Sequence, residues 1–257
     1  MGVSGSVRLQ TKTETSSHDW STRQSEMENW YRAFVARADA GKNLLEDHRP
    51  YLSKLAGLRG MVLDVGGGVG LVRQFLPPDT KYFVIDPSRY WLNENWANLV
   101  PQFPALENRL SFVQGVGEAL PFPSNCFDAV LSFWSLNHAA DGGACILEMH
   151  RVLKPLGRAL LILEDMEPAW RDVARMCWRD LCYKCGHDVA YKIDWNQEGI
   201  NSGKKTILYK LSGHSWPLQS DHTRIEEGLL RSLFRGRFKT ISRGWDGGFL
   251  HFELEKL

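Results

Sequence analysis

Two short apolar runs in the first half of the chain have the pattern of buried strands, and each ends in residues suited to a ligand site. Residues 61–65, MVLDV, lead directly into the glycine turn 66–70, GGGVG, and residues 82–85, YFVI, end at Asp86. Apolar runs of this length, bounded by turn signals, predict strands that are covered on both faces of a sheet. Glycines after such a strand let the backbone turn sharply and approach a ligand closely. The pattern therefore predicts a nucleotide site at the carboxyl ends of these strands.

Later segments alternate between the same strand pattern and the helical spacing of apolar residues, which indicates an α/β protein. Further strands are predicted at 110–113, 129–133 and 158–163, with a closing hairpin of 238–243 and 249–254. Helices are predicted at 71–76, 142–153, 169–183 and 223–234.

The two flanks of this pattern differ from its centre. Residues 1–20 are rich in Ser, Thr and Gly and are predicted to be a disordered tail, so the folded domain is expected to span 21–257. Residues 21–58 have helical apolar spacing and predict N-terminal helices, broken or kinked at Pro50. Residues 166–218 are interpreted as a cap insertion over the substrate, with a hairpin formed by 189–193 and 206–211.

Three features of the predicted site narrow the choice of its ligand. Asp86 at the tip of the second strand can accept both hydroxyls of a ribose, in a dinucleotide or in S-adenosylmethionine. Leu71 stands where a dinucleotide fingerprint needs a small residue, which argues against that cofactor. Asp64 lies inside an apolar strand, where an acid is costly to bury unless it binds something. A cationic ligand would explain Asp64, and the alternative is that it accepts hydrogen bonds from the amides of its own turn.

The segment 61–165 resembles the class I S-adenosylmethionine-dependent methyltransferases. The glycine turn resembles motif I of that family, and four later segments agree with it in order and spacing. These are Asp86-Pro87-Ser88, the E-A-L-P-F run 118–122, the F-D-A-V run 127–130 and the R-V-L-K-P run 151–155. The resemblance implies a Rossmann-like, seven-stranded, mostly parallel sheet with helices on both faces, an antiparallel last strand, N-terminal helices and a cap insertion. It also implies an enzyme that uses S-adenosyl-L-methionine.

The resemblance further implies a set of site residues. The predicted cofactor-binding residues are Tyr31, Asp64, Gly66, Gly67, Gly68, Asp86, Pro87, Ser88, Trp91, Gly117, Glu118 and Phe133. Tyr31 and Trp91 have the alternative of packing in the core. Val116 stands where family members often carry the acid that accepts the adenine amino group, so backbone groups around Gly117 and Glu118, or another side chain, are expected to replace it.

The acceptor end is predicted from the loop after the fourth strand and from two later segments. His138 is the candidate general base, because an imidazole of pKa about 6.5 can take a proton from a hydroxyl or an amine. Methyl transfer by positioning alone is the alternative. Glu164 and Asp165 end the fifth strand and either meet the substrate or cap the next helix. His214 and Trp216 stand where family members often contact substrate.

Composition argues against nucleic acid and membrane as partners but does not define the substrate. The chain has 257 residues, with 31 basic and 30 acidic side chains and a net charge of +1, and no basic run that would favour nucleic acid. No stretch approaches about 18 consecutive apolar residues, so a soluble, cytoplasmic protein without membrane association is expected. Five cysteines argue against a disulfide framework. The C-x4-C-x2-C spacing from Cys177 to Cys185 is interpreted as idle thiols, and no metal is predicted.

The sequence therefore predicts a methyltransferase that transfers a methyl group to an oxygen or nitrogen atom of a small molecule, as a monomer or homodimer. Two alternatives come from other classes of protein. One is an NAD(P)-dependent oxidoreductase. The other is a non-catalytic partner protein that keeps the cofactor site.

Overall fold

The computed structural model describes residues 20–37, 40–88, 100–101, 103–107, 111–185, 203–219, 221–246 and 248–257. Three predictions fall wholly or largely outside these residues: the disordered tail 1–20, of which only Trp20 is described, the side chain of Trp91 and the strand 189–193.

Seven strands form one sheet. They are β1 (Met61–Val65), β2 (Lys81–Asp86), β3 (Ser111–Gln114), β4 (Phe127–Phe133), β5 (Leu153–Leu163), β6 (Phe238–Asp246) and β7 (Phe249–Lys256). Their order across the sheet is β3-β2-β1-β4-β5-β7-β6. The first five pair in parallel, and β7 runs antiparallel to both of its neighbours. The predicted fold class is confirmed, including the antiparallel last strand.

Seven α-helices accompany the sheet in the described part of the chain. They are α1 (Trp20–Val35), α2 (Ala40–His48), α3 (Leu52–Leu55), α4 (Gly142–Val152), α5 (Trp170–Lys184), α6 (Gly203–Leu211) and α7 (Glu227–Phe234). The N-terminal helical segment is interrupted at Pro50, where a 3₁₀ turn spans Arg49–Tyr51. This agrees with the predicted break, because proline removes a backbone donor and clashes with the preceding turn.

Helices cover both faces of the sheet, and alternate strand residues point to each cover. On one face, Leu63 and Val130 pack with Ile146 of α4 and Leu230 of α7. On the other, Val62 and Leu131 pack with the buried Tyr51 of the N-terminal segment. Parallel strands that are buried on both faces explain the near-continuous apolar runs in the sequence. The carboxyl edge of the sheet remains as the place for a site.

The structure corrects two predicted elements. Residues 206–211, predicted as a strand, belong to helix α6. Gly203 and Thr206, three residues apart, are its buried positions, whereas Leu208 and Leu211 are exposed, which is a helical pattern. A Cβ on Gly203 would lie 2.4 Å from the Cys177 sulfur, so α6 packs closely on α5. The segment after the glycine turn is a 3₁₀ helix, Leu71–Phe75, shorter than the predicted helix 71–76.

Candidate active site

A cleft opens at the carboxyl edge of β1, β2 and β4 and holds about 1140 Å³ of empty space, its open mouth included. His138 and the predicted cofactor-binding residues that the structure describes line it, except for Ser88. The predicted residues in its wall are Tyr31, Asp64, Gly66, Gly67, Gly68, Asp86, Pro87, Gly117, Glu118, Phe133 and His138. A cleft at the topological switch point of a doubly wound sheet is the usual place for a ligand.

The glycine turn after β1 needs its glycines for two separate reasons. Gly66, Gly68 and Gly70 have φ angles of 72°, 51° and 73°, a left-handed conformation that side chains disfavour. Gly67 is needed for space, since a Cβ there would lie 2.7 Å from Cγ of Asp64. The turn is closed by a hydrogen bond of 2.8 Å from the Gly70 amide to the Gly67 carbonyl. The backbone is thereby exposed to the cleft without side chains in the way.

Asp64 is a buried carboxylate, and only one of its two oxygens has a hydrogen-bond partner among the described residues. Its side chain is 1% exposed, and Oδ2 accepts a hydrogen bond of 2.5 Å from the Tyr82 hydroxyl. Its other oxygen, Oδ1, is buried without a hydrogen-bond partner among the described residues. Burial raises the pKa of Asp64 to about 6, and the hydrogen bond from Tyr82 opposes this shift. The structure therefore does not favour the alternative in which Asp64 serves only the amides of its own turn.

Asp86 ends β2 and fastens it to the glycine turn. Its Oδ2 accepts a hydrogen bond of 3.1 Å from the Gly68 amide, and its Oδ1 accepts one of 2.9 Å from the Ser88 amide. Ser88 itself is buried, and its hydroxyl donates to Glu28 of α1. Within the described chain, Ser88 therefore ties α1 to the site without lining the cleft.

The segment after β3 forms another wall of the cleft. Gly117 is packed tightly, because a Cβ there would lie 2.8 Å from the Cys145 sulfur. The Glu118 carboxylate accepts hydrogen bonds from the amides of Ala140 and Asp141, at 2.8 and 3.0 Å. Val116 also lines the cleft. The Glu118 carboxylate thus fixes the loop before α4, and recognition of the adenine by backbone groups remains a prediction.

Aromatic side chains close the cleft from the N-terminal side. Tyr31 of α1 lines it, and burial followed by the negative charges of Glu164 and Asp86 raises the tyrosine pKa. Phe133 is 8% exposed and lies 5.8 Å from the Tyr51 ring, between centroids. Tyr31 therefore lies near both the β2 tip and the β5 tip. Trp91 lies outside the described residues.

His138 is brought together with two residues that are distant in sequence, because Asn137 fastens three segments. The Asn137 carbonyl accepts a hydrogen bond of 2.6 Å from the Thr223 amide. Its side-chain oxygen accepts one of 3.2 Å from the Glu164 amide. The result places His138, Glu164 and His222 side by side. Their possible ligand atoms all lie within 4.8 Å of one another.

Carboxylates surround the two imidazoles of this cluster. His222 Nδ1 lies 2.8 Å from Asp165 Oδ2, and His222 Nε2 lies 3.4 Å from Glu164 Oε2. His138 Nε2 lies 3.8 Å from the same Glu164 oxygen, and His138 Nδ1 lies 3.5 Å from Asp221 Oδ2. The two rings are nearly perpendicular, at 88°, with centroids 4.4 Å apart. Asp165 has a φ of 49°, a strained conformation of the kind found at functional sites.

Burial and charge shift the pKa values within the cluster in different directions. Burial, with the neighbouring His222, lowers the pKa of His138 to about 4. Burial raises the pKa of Glu164 to about 7, against the opposing effect of His222. Burial would lower the pKa of His222, but the hydrogen bond to Asp165 and the other carboxylates raise it on balance. Such divergent shifts are typical of functional sites.

Sequence reasoning named Glu164 and Asp165 only as one of two alternatives, and it missed His222 and Asn137. It named His214 and Trp216 instead, but His214 is exposed and bonded to Ser212, and neither residue lines the cleft as the described chain forms it. His222, a few residues later, is the residue of this segment that reaches His138 and Glu164. The sequence around His222, which follows Pro217 by five residues, gave no local signal of this contact.

The sheet order, the glycine turn and the acid at the tip of β2 together define the class I S-adenosylmethionine-dependent methyltransferase fold. Residues 63–161 match the family model described as a methyltransferase domain. Over this segment, 99 of the 257 residues, the match supports the predicted resemblance to S-adenosylmethionine-dependent methyltransferases.

Curated relatives match the same region. The ubiquinone/menaquinone biosynthesis C-methyltransferase UbiE of Hahella chejuensis is 37% identical over 111 residues, which are 42% of this chain and 43% of the relative. The protein of that name in Shewanella baltica is 38% identical over 124 residues, 46% of this chain and 48% of its own. The matches thus span less than half the length of these relatives.

Solved structures share the fold across most of the chain. A methyltransferase from Aquifex aeolicus, described as SAM dependent, has a TM-score of 0.51 and 14% identity and covers 93% of this chain and 100% of its own. The 1,6-didemethyltoxoflavin-N1-methyltransferase of Burkholderia thailandensis, solved with S-adenosylhomocysteine, has a TM-score of 0.52 and 15% identity and covers 96% and 97%. At these identities the likeness shows the fold alone. No helix in the described chain is long and apolar enough to span a membrane.

Proposed function

We propose that the chain transfers the methyl group of S-adenosylmethionine to a small-molecule acceptor. The observation that carries this is the unpartnered, buried Oδ1 of Asp64 in the wall of the cleft. A buried carboxylate oxygen without a donor is costly unless a ligand supplies one. The ammonium group of a bound methionine moiety is such a donor, reached directly or through water.

The residues present fit this cofactor at two further points. The glycine turn offers a cradle that side chains at Gly66 and Gly67 would fill, since their Cβ atoms would lie 2.4 Å from Ser135 and 2.7 Å from Asp64. Asp86 places its carboxylate in the cleft wall beside the Gly68 amide, where a ribose hydroxyl can donate to it. When bound, the cofactor supplies an electrophilic methyl group on a positively charged sulfur. The chain's own part is to hold and orient the reactants, which accounts for much of the rate in such a transfer.

The cluster of His138, His222 and three carboxylates marks the acceptor end of the cleft. An oxygen or nitrogen acceptor must lose a proton as it is methylated, and a cluster of titratable groups is suited to receive it. We therefore propose an oxygen or nitrogen atom of a small molecule, with His138 as the base. The names of the curated relatives favour carbon as the second candidate atom.

Two other functions would differ from methyl transfer in what the protein binds or turns over. An NAD(P)-dependent oxidoreductase would bind a nicotinamide cofactor in the same cleft, which Leu71 and the family match disfavour. A non-catalytic partner protein would bind S-adenosylmethionine without turning it over. We propose a small-molecule acceptor because the described surface provides this enclosed cleft beside the cluster, and a monomer or homodimer remains a prediction.

Turnover with panels of acceptors tests the proposal. Phenols, amines and hydroquinones would each be incubated with methyl-labelled S-adenosylmethionine, and S-adenosylhomocysteine release would be followed by mass spectrometry. We expect release above the acceptor-free background with at least one phenol or amine, with the label on oxygen or nitrogen. Label on a ring carbon would overturn the acceptor atom only. Binding of the cofactor without release on any panel would favour the partner protein.

The role of His138 has its own test. His138→Gln should lower kcat at least tenfold while the affinity for S-adenosylhomocysteine stays near that of the wild type. His150→Gln is a matched control near the C-terminal end of α4, outside the cleft lining, where the His150 ring contacts Phe238. An unchanged kcat in His138→Gln would assign methyl transfer to positioning alone.

A further inference from the structure

The two imidazoles and Glu164 are arranged in a way that hydrogen bonding among them does not explain. Both His138 and His222 direct their Nε2 atoms to the same oxygen, Glu164 Oε2, at 3.8 and 3.4 Å. Hydrogen bonds between nitrogen and oxygen are about 2.7–3.2 Å long, so neither pair is bonded. Three strong ligand atoms therefore face one another across a gap in a nearly buried place.

The gap has the size that a metal ion needs. Histidine nitrogens and carboxylate oxygens lie about 2.0–2.2 Å from a zinc ion, so two ligands at a tetrahedral angle are about 3.4 Å apart. The two separations from Glu164 Oε2 are 3.4 and 3.8 Å, and all three ligand atoms fall within 4.8 Å. Small side-chain rotations would bring all three to one ion.

A second carboxylate stands behind each imidazole. Asp165 Oδ2 is hydrogen-bonded to His222 Nδ1 at 2.8 Å, whereas Asp221 Oδ2 lies 3.5 Å from His138 Nδ1, which has no hydrogen-bond partner among the described residues. In metal sites, a carboxylate on the outer nitrogen fixes the tautomer and leaves the inner nitrogen free to coordinate. Asp165 is itself held by the Gln219 amide at 2.8 Å.

We propose that His138, His222 and Glu164 bind one divalent first-row transition-metal ion, such as zinc, at the acceptor end of the cleft. Two imidazoles and a carboxylate suit zinc, iron and manganese better than magnesium, which prefers oxygen ligands. Three protein ligands leave coordination positions open, and His138 lines the cleft beside them. The site deepens the proposed function, since the ion would orient an oxygen-bearing acceptor. In that case His138 acts as a ligand and not as the base.

Metal titration of the full chain tests the site. After treatment with a chelator, zinc binding would be measured by competition with a chromogenic indicator, and cobalt binding by its visible absorption. We expect one ion per chain and bands typical of nitrogen and oxygen ligands, without thiolate charge transfer. Glu164→Gln and His222→Gln should each weaken zinc binding at least a hundredfold, and Asp165→Asn about tenfold to a hundredfold. The exposed His214→Ala is the matched control and should leave binding unchanged.

Two results would overturn the metal site. One is the absence of stoichiometric zinc binding by the wild type. The other is zinc binding that persists in both ligand variants, which would assign the ion to Cys177, Cys182 and Cys185. Titration of each variant with S-adenosylhomocysteine separates this outcome from failure of the proposed function. If the cofactor product binds normally and zinc does not, only the metal site is lost.

Discussion

Replacing Asp64 with Asn should make the free protein more stable at alkaline pH and its cofactor binding weaker. Burial raises the pKa of Asp64 from 3.8 to about 6. The group therefore keeps its proton in the folded protein between about pH 4 and pH 6, where the unfolded chain has already released it. The cost of ionising it in the folded state is absent below that window and complete above it. A shift of this size corresponds to about 3 kcal/mol.

The Asn variant removes this cost and keeps a hydrogen-bond acceptor for Tyr82. Because the shift already includes the opposing hydrogen bond from Tyr82, the net gain at pH 8 should be about 3 kcal/mol in the free energy of unfolding. The gain should shrink toward zero as the pH approaches 4. Affinity for S-adenosylhomocysteine at pH 8 should fall about tenfold to a hundredfold, because a hydrogen bond to a charged partner is worth about 1.5–3 kcal/mol.

Urea unfolding followed by tryptophan fluorescence from pH 4 to pH 8 measures the free energy of unfolding. Calorimetry measures the affinity for S-adenosylhomocysteine. Asp128→Asn is a matched control on the neighbouring strand, because Asp128 pairs with Lys154 and its pKa is lowered despite burial. That variant should lose stability above the usual carboxylate pKa and bind S-adenosylhomocysteine normally. If Asp64→Asn were less stable at pH 8 and bound the ligand unchanged, Asp64 would be a structural carboxylate.

Two further predictions concern space and charge. Gly67→Ala should weaken S-adenosylhomocysteine binding at least tenfold in calorimetry, because the new Cβ would lie 2.7 Å from Asp64 Cγ and displace that carboxylate. Unchanged affinity would mean that the turn is not part of the cofactor site. Arg243→Ala should lower the free energy of unfolding in urea by about 3–5 kcal/mol, since Arg243 binds the buried Asp172 at 2.7 and 2.8 Å and Glu227 at 2.6 Å. A loss below about 1 kcal/mol would contradict a buried ion network there.

The cofactor end of the site was predictable from sequence because its parts are local. Asp64, the glycine turn and Asp86 occupy the tips of consecutive strands that pair in parallel, so chain order alone places them together. Apolar runs buried on both faces gave the strands of the sheet in the same way. The number of strands and the antiparallel last strand then followed from the family resemblance.

The acceptor end was not predictable because it is assembled over long sequence distances. His222 reaches His138 only because Asn137 bonds both to Thr223 and to Glu164, and no spacing in the sequence signals that contact. The helix α6 was mistaken for a strand for a related reason. Its buried positions, Gly203 and Thr206, carry small side chains, so the helical pattern is absent from the apolar residues.

Calorimetric titration with S-adenosylhomocysteine tests the central claim most directly, with NADH and the Asp86→Ala variant alongside. We predict one site of micromolar affinity in the wild type, sharply weakened in Asp86→Ala, and no binding of NADH. Binding of NADH with none of S-adenosylhomocysteine would contradict the account and make the glycine turn a dinucleotide site.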